Sequence, residues 1–422
     1  MKHRVVITGL GVLAPNGVGV DEFAEAIKQG SSGIKTLPEL NELGMTCQIG
    51  GVPTITEPYI RKHIPEYIIN RIDSSTLLFG ILAGVEACMD AGIQVSSDVD
   101  WSTGVIMGAQ SSDGGLASSI VDNLFHRKDI RRIGGRTAEQ IITSSVSAYL
   151  SGLYGFGNCC RTNSAACATG TEALFLAYQQ VKQGYARKML AGSSEGNSPF
   201  TWSVLDRIRA LNGGSNHEPE RGSRPMSIDA SGLVPGCGAG AMVLENMEDA
   251  LKRGGKIYAE IIGGSNNCGA QRNGGTMTKP NIQGIKKCIQ DAVVDASIDV
   301  EEVTLISGHL TATYADVLEV QAWSEALGLS NAAFPYINSL KSMTGHCLAA
   351  AGSIESVASV IQIREGFIHP SINCENVHND ILKFIDKNRI PQRAIKKEVS
   401  CVMKANFGFG DLNTCLIFRK FI

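Results

Sequence analysis

Charge is scarce in this chain of 422 residues. Asp, Glu, Lys and Arg together make up 19%, below the roughly 25% of ordinary soluble domains. That scarcity argues for a large core, extensive subunit contact, or both. The net charge is only −3, so no basic field exists to recruit nucleic acid. Long apolar runs are also missing. The N-terminal "MKHRVVITGLG" is too short and polar for a secretory signal. The apolar stretch after His346 is interrupted by Glu355, so it cannot supply about 18 clean residues for a membrane span. Cysteine is present twelve times, but no C-x-x-C pair and no metal-ligand spacing occurs. Free thiols in a reducing cytoplasm are expected, most of them small buried hydrophobes. Histidine is rare, with 8 residues, so each one is worth locating.

What is present reads as mixed α/β. Strand-like runs occupy Arg4–Gly9, Thr103–Met107, Lys188–Gly192, Ala239–Glu245, Tyr258–Gly263, Val303–Ser307, Ser400–Lys404 and Thr414–Phe418. Helical periodicity marks Ser74–Asp90, Thr169–Gln183, Gln283–Asp295, Ala315–Ala326 and Gly352–Arg364. The chain also resembles itself. Asp90-Ala91-Gly92-Ile93 corresponds to Asp295-Ala296-Ser297-Ile298, and "HRVVITGLG" is echoed by "KIYAEIIGG". Two halves, 1–250 and 251–422, are therefore expected to share a topology. The helices following Cys167 and His346 should be equivalent and meet near a pseudo-twofold axis.

"NSAACATGTEAL", Asn163–Leu174, sets Cys167 among small residues at the mouth of a helix. A lone cysteine is more often core than nucleophile. Here the helix N-terminus would favour a thiolate, small neighbours would admit a substrate, and a sharp strand-to-helix turn would expose the sulfur. His309 in "SGHLTAT" and His346 in "SLKSMTGHCLAAAG" both stand where a strand ends, the position at which functional groups of α/β proteins collect. Either alone could be a capping or core histidine. "TGLGVLA" fits G-x-G-x-x-A, but Pro15-Asn16-Gly17 follow as a turn, leaving no helix N-terminus for a dinucleotide pyrophosphate.

These motifs together resemble the elongating β-ketoacyl-[acyl-carrier-protein] synthases. "VVITGLGVLAPNG", "AACATGTEA", "SRPMSIDASGLVPGCGAGAMVLE", "GHLTAT", "LKSMTGHCLAAAGSIE" and "NFGFGDLNT" carry the likeness along the whole chain. The resemblance implies a thiolase-like duplicated five-layer αβαβα sandwich, usually a homodimer, and decarboxylative Claisen condensation. Cys167 would hold the acyl chain as a thioester. His309 and His346 would donate from Nε2 to the enolate of malonyl-carrier protein. Lys341 would support the histidine pair, and Glu319 would be its buried carboxylate partner. The backbone N–H groups of Cys167 and Phe409 would form the acyl oxyanion hole, with Phe409 as gate. Thr311 and Thr313 would bind the pantetheine arm of an acyl carrier protein. No cofactor or metal is implied, nor any nucleic-acid or membrane partner.

Departures from the family pattern are Leu310 after the first histidine, Cys237 in "GCGAG" and Asp411 in "GFGD". In addition, the loop holding Gln110, Ser111, Ser112 and Asp113 is polar where an apolar acyl-pocket floor is usual. Either that loop faces solvent or a subunit interface, or the pocket suits an unsaturated or aryl-capped chain. "HRKDIRR" offers Arg127, Lys128, Arg131 and Arg132 either as a docking patch for an acidic carrier protein or as a solvated loop. Two other readings are a thiolase-like acyltransferase, disfavoured by the lack of a second C-terminal cysteine, and a chain-length partner subunit, disfavoured by Cys167.

Overall fold

The computed structural model describes residues 3–110 and 114–422. Ten strands form one long sheet path: β1 (Val5–Ala14), β2 (Thr103–Gly108), β3 (Cys160–Arg161), β4 (Lys188–Glu195), β5 (Gly238–Asn246), β6 (Ala259–Cys268), β7 (Leu305–Ser307), β8 (Tyr336–Asn338), β9 (Cys401–Gly408) and β10 (Leu412–Arg419). Their order is β8-β7-β9-β10-β6-β1-β5-β4-β2-β3, with the short strand Gly17–Val18 paired to β1 off the path. Read outward from the β6–β1 joint, both halves run first strand, fifth, fourth, second, third. In each half the second strand is parallel to the third and fourth, and the fifth is antiparallel to both its neighbours. This is a duplicated thiolase-like sandwich.

The five longest helices over the strands are α1 (Ser75–Asp90), α2 (Thr169–Lys182), α3 (Ile282–Ala296), α4 (Ala315–Leu327) and α5 (Ala351–Glu365). Each lies within one or two residues of its periodic stretch. Three apolar clusters define the layers. The central one joins α2 and α5 to strands of both halves. A second lies between α1 and the N-terminal strands, and a third gathers α3 and α4 over the C-terminal strands. Every residue of α5 from Ala351 to Ile363 is buried, so it shows no amphipathic stripe, as expected of a central-layer helix. Strands β3 and β8, of two and three residues, lie outside the apolar runs of the sequence, whereas the equally short β7 ends one.

The repeat is chemical as well as topological. Asp90 accepts the Leu10 N–H at 2.9 Å and Asp295 the Gly264 N–H at 3.1 Å, each beside a bulge in its half's first strand. Gly92 (φ 72°) and Ser297 (φ 52°) take the same left-handed turn. The two glycines of "TGLGVLA" lie within β1, where a Cβ would strike the α1 carbonyls of Ala87 and Ala83 at 2.1 and 2.0 Å. Their spacing therefore serves helix-on-strand packing.

Candidate active site

Cys167 follows Ala166, whose left-handed backbone (φ 47°) costs a non-glycine residue on the order of 1–3 kcal/mol. The Thr169 hydroxyl holds that bend. It accepts from Ala165 N–H at 2.8 Å and donates to the Ala166 carbonyl at 2.6 Å. α2 begins at Thr169, with Ala168 as its cap residue, so Cys167 stands just ahead of the helix. In the second half Leu348 (φ 46°) makes the matching bend before α5, and Ala349 takes the place equivalent to Cys167. Only one of the two elbows kept a thiol.

The sulfur of Cys167 and ring nitrogens of His309 and His346 lie within 4.8 Å of one another. The imidazoles meet edge to face, centroids 5.3 Å apart. Hydrogen bonds settle their tautomers. The Asn406 side chain accepts from Thr171 Oγ1 at 2.5 Å, and its Nδ2 donates to Glu355 Oε2 and His309 Nδ1, both at 3.0 Å. A carboxylate can only accept, so the amide orientation is determined. His309 Nδ1 is therefore an acceptor and Nε2 carries the proton. His346 Nδ1 accepts from Leu348 N–H at 3.2 Å, which likewise leaves its proton on Nε2. That atom is buried and has no partner. An orphaned donor aimed at a thiol pocket is ready for a substrate oxygen. The same tautomers disfavour metal ligation, since a protonated Nε2 has no lone pair to give.

Both imidazoles are neutral. Burial, then the charge of Lys341, brings His346 down to about 3; burial and the same lysine hold His309 well below the ordinary histidine range. The expected resting thiolate is corrected here. Burial pushes the Cys167 thiol up to about 11, against the opposing charge of Lys341 and a hydrogen bond from Phe409 N–H. Desolvation of the sulfur outweighs both.

The lysine's partner is also corrected. Lys341 Nζ pairs with Glu355 and donates to the His309 carbonyl at 2.6 Å. Glu319 instead accepts the backbone N–H groups of His309 and Leu310, both at 2.7 Å, and Trp323 Nε1 at 3.2 Å. It shapes the histidine turn, in which Leu310 takes φ 25°. Glu355, Asn406, Lys404 and Glu195 went unnoticed as site residues. Two signals were available: Glu355 within a helix whose other residues before Arg364 are uncharged, and Lys404 within the otherwise uncharged strand β9.

Phe409 directs its N–H at Cys167. Gly408 permits this approach, because a Cβ there would lie 3.2 Å from Cys167 N and 2.7 Å from the Ala165 carbonyl. Asp411 (φ 66°) is buried two residues after Phe409, its carboxylate accepting Gln271 and Asn281 N–H at 3.0 Å each. Thr311 and Thr313 are half-buried, their hydroxyls 3.0 Å apart, and Thr313 opens onto a cleft with Lys279, Tyr314 and His378. Cys237 is a buried thiol beside Gly51. Arg127 pairs with Asp122 at 2.5 Å, and Arg131 and Arg132 with Asp129 at 3.1 and 3.4 Å. Gln110 is exposed; Ser111, Ser112 and Asp113 lie outside the described residues.

A thiol faced by two neutral imidazole donors, on a duplicated thiolase-like fold, defines a condensing-enzyme site. The chain belongs to the β-ketoacyl synthase family. The family's N-terminal domain matches residues 2–250 and its C-terminal domain residues 258–375. The chloroplastic 3-oxoacyl-[acyl-carrier-protein] synthase I of Arabidopsis thaliana is 33% identical over 432 residues, spanning 100% of this chain and 87% of that protein. The 3-oxoacyl-[acyl-carrier-protein] synthase 2 of Vibrio harveyi is 30% identical, with 99% of each covered. Among solved structures, a chain of the AntDE:AntF assembly, a type II PKS acyl-carrier protein in complex with its ketosynthase bound to the hexaketide, superposes with TM-score 0.88 at 30% identity over 100% of both chains. A β-ketoacyl synthase from Burkholderia phymatum STM815 gives 0.89 at 28%, again over 100% of both. The protein is thus an acyltransferase that forms carbon–carbon bonds, in fatty-acid or polyketide-type elongation.

Proposed function

We propose that Cys167 carries the acyl chain and that His309 and His346 drive the decarboxylation of malonyl-carrier protein. In the first half-reaction the Cys167 sulfur attacks an acyl thioester on the pantetheine of an acyl carrier protein. The S–acyl bond to Cys167 forms, the bond between the acyl carbon and the pantetheine sulfur breaks, and the thiol proton goes to the departing pantetheine sulfur. The oxyanion is held by the N–H groups of Cys167 and Phe409. In the second, malonyl-carrier protein loses carbon dioxide. The electron pair of the broken C–C bond moves onto the thioester as an enolate, whose oxygen takes the two Nε2–H donors. The enolate carbon attacks the acyl group, and Cys167 leaves as a thiolate that recovers a proton. No cofactor enters these steps.

The observation that carries this reading is the unpartnered Nε2–H of His346 beside Cys167 and His309. It favours a working synthase over a chain-length partner subunit. Thr311 and Thr313 suit the amides of a pantetheine arm, and Arg127, Lys128, Arg131 and Arg132 outnumber their two acidic neighbours and suit an acidic carrier.

A homodimer fits the exposed edge strand β3 and the exposed apolar side chains elsewhere in the N-terminal half, among them Phe125 at 66% and Ile130 at 69% exposure. Residence in the cytoplasm fits the twelve free thiols; among the described residues no helix is long and apolar enough to cross a membrane.

The test is to incubate the protein with saturated, polyenoyl and hydroxyaryl-polyenoyl carrier protein and identify the modified cysteine by mass spectrometry. Malonyl-carrier protein is then added and carbon dioxide measured. Acyl transfer to Cys167 alone, followed by a product two carbons longer, is expected. Condensation that survives Cys167→Ala would refute it.

A further inference from the structure

Two lysines share one carboxylate at the centre of this fold. Lys404, on β9, is fully buried. Its Nζ lies 2.9 Å from Glu355 Oε2 and donates to the carbonyls of Ala405 at 2.5 Å and Ser307 at 3.4 Å. Lys341 holds the other oxygen of Glu355. Glu355 is driven down to about 2, its burial overcome by Lys341 and Lys404. One carboxylate thus faces two ammonium groups, although one would have satisfied it. A buried cation in excess of its partner is expensive to keep, and residues that break the rule of charge balance collect at functional sites.

The groups around Lys404 come from five elements. Glu355 lies on α5, Glu319 on α4 and Lys341 on the turn after β8. His309 and His346 end the loops after β7 and β8, and Cys415 comes from the neighbouring β10. Glu319, raised by burial to about 7, offsets the second lysine only in part, while burial lowers Lys404 from the ordinary lysine range and the charge of Glu355 opposes that lowering. The excess charge is therefore felt by the histidine pair, where the condensation puts negative charge on the enolate oxygen.

We propose that Lys404 is a positioning residue for the decarboxylation step: its buried ammonium, sharing Glu355 with Lys341, sets a fixed positive charge behind His309 and His346 that favours the enolate and keeps both imidazoles as neutral Nε2–H donors. The inference rests on the condensation chemistry above. The charge acts twice. It stabilises an anion that exists only in the second half-reaction, so acylation of Cys167 should be indifferent to it. It also opposes imidazolium formation. A proton on Nδ1 would set N–H against N–H at Asn406 and Leu348 and displace the rings.

The test compares Lys404→Met, which keeps the length, with Lys404→Gln, which keeps a hydrogen-bond donor without the charge. Carbon dioxide release from malonyl-carrier protein and acylation of Cys167 are measured across pH 4.5–8. Both variants should lose about tenfold in decarboxylation, less than for a donor that touches the oxyanion. Removing the cation raises the histidine pKa values, so decarboxylation by the variants should fall off at the acid end of this range, where the wild type, with His346 at about 3, holds its rate. Acylation at the wild-type rate shows that each variant is folded. If Lys404→Gln decarboxylates like wild type, or if both half-reactions fall together, Lys404 is a structural residue and the proposal is wrong. Wild-type protein that acylates but releases no carbon dioxide would sink the condensation chemistry, and this inference with it.

Discussion

Asn406→Asp exchanges one atom of the network and tests the tautomer assignment directly. Asn406 Nδ2 now gives one hydrogen to Glu355 Oε2 and the other to His309 Nδ1, each over 3.0 Å. In the variant an acceptor oxygen replaces that donor. It faces a carboxylate and an imidazole lone pair, so His309 moves its proton to Nδ1 to satisfy it. Nε2 is then bare and cannot donate to the enolate. Losing one oxyanion donor costs about 10²–10³ in rate, roughly 2.7–4 kcal/mol. Acylation, which uses backbone donors at Cys167 and Phe409, should keep most of its rate. The assay is single-turnover carbon dioxide release from malonyl-carrier protein beside mass-spectrometric acylation of Cys167. Thermal unfolding should show a loss as well, since the two hydrogen bonds that Nδ2 donates to Glu355 and His309 are gone. Decarboxylation within about threefold of wild type, a change near 0.7 kcal/mol, would refute the assignment of the proton to Nε2.

Glu195→Gln concerns stability. Buried Glu195 accepts one hydrogen bond, from Ala349 N–H at 3.3 Å, and its burial raises it to about 8. It is protonated in the fold and ionised when unfolded between about pH 4.5 and 8, so its stabilising contribution drains away as pH rises through that window; the variant should flatten the fall in melting temperature from pH 5 to 8, and an unchanged slope would count against it. Asp411→Gly removes the carboxylate that ties the loop around Gln271 and Asn281 to the Phe409 turn. It should speed hydrogen exchange at both N–H groups and slow acylation more than decarboxylation; equal effects on the two half-reactions would argue against a gate-positioning role. Charge reversal of Arg127 and Lys128 should raise KM for carrier-bound substrate with little change in kcat and make the reaction less salt-sensitive. A KM insensitive to both substitutions and to salt removes this patch from docking.

Much of this protein is legible in the chain alone. Periodicity located the five longest helices, because each is long enough for its buried positions to recur, but not the ten-residue helices Val20–Gln29 and Ser145–Tyr154, which also pack into the core. Eight of the ten long-sheet strands were visible as apolar runs; β7, no longer than β8, showed because it ends the longer run Val303–Ser307, whereas β3 and β8 sit in no such run. Cys167, His309 and His346 stood out because a rare residue type at a strand end or sharp turn is a local pattern. The duplicated Asp90 and Asp295 turns were legible for the same reason. The partnerships within the site were not, because they join residues remote in sequence. Lys341 takes Glu355 rather than Glu319 because α5 runs through the centre of the molecule and brings its carboxylate to the lysine, whereas the Glu319 carboxylate is consumed by the turn at His309. Asn406 fixes a tautomer 97 residues away, and Lys404 adds a charge that no spacing rule connects to a histidine. The state of the thiol was decided by the fold as well. The local sequence promised a helix N-terminus and a low pKa, but Cys167 is half-buried, and packing around the sulfur disfavours a thiolate by more than a helix end and a nearby lysine favour it.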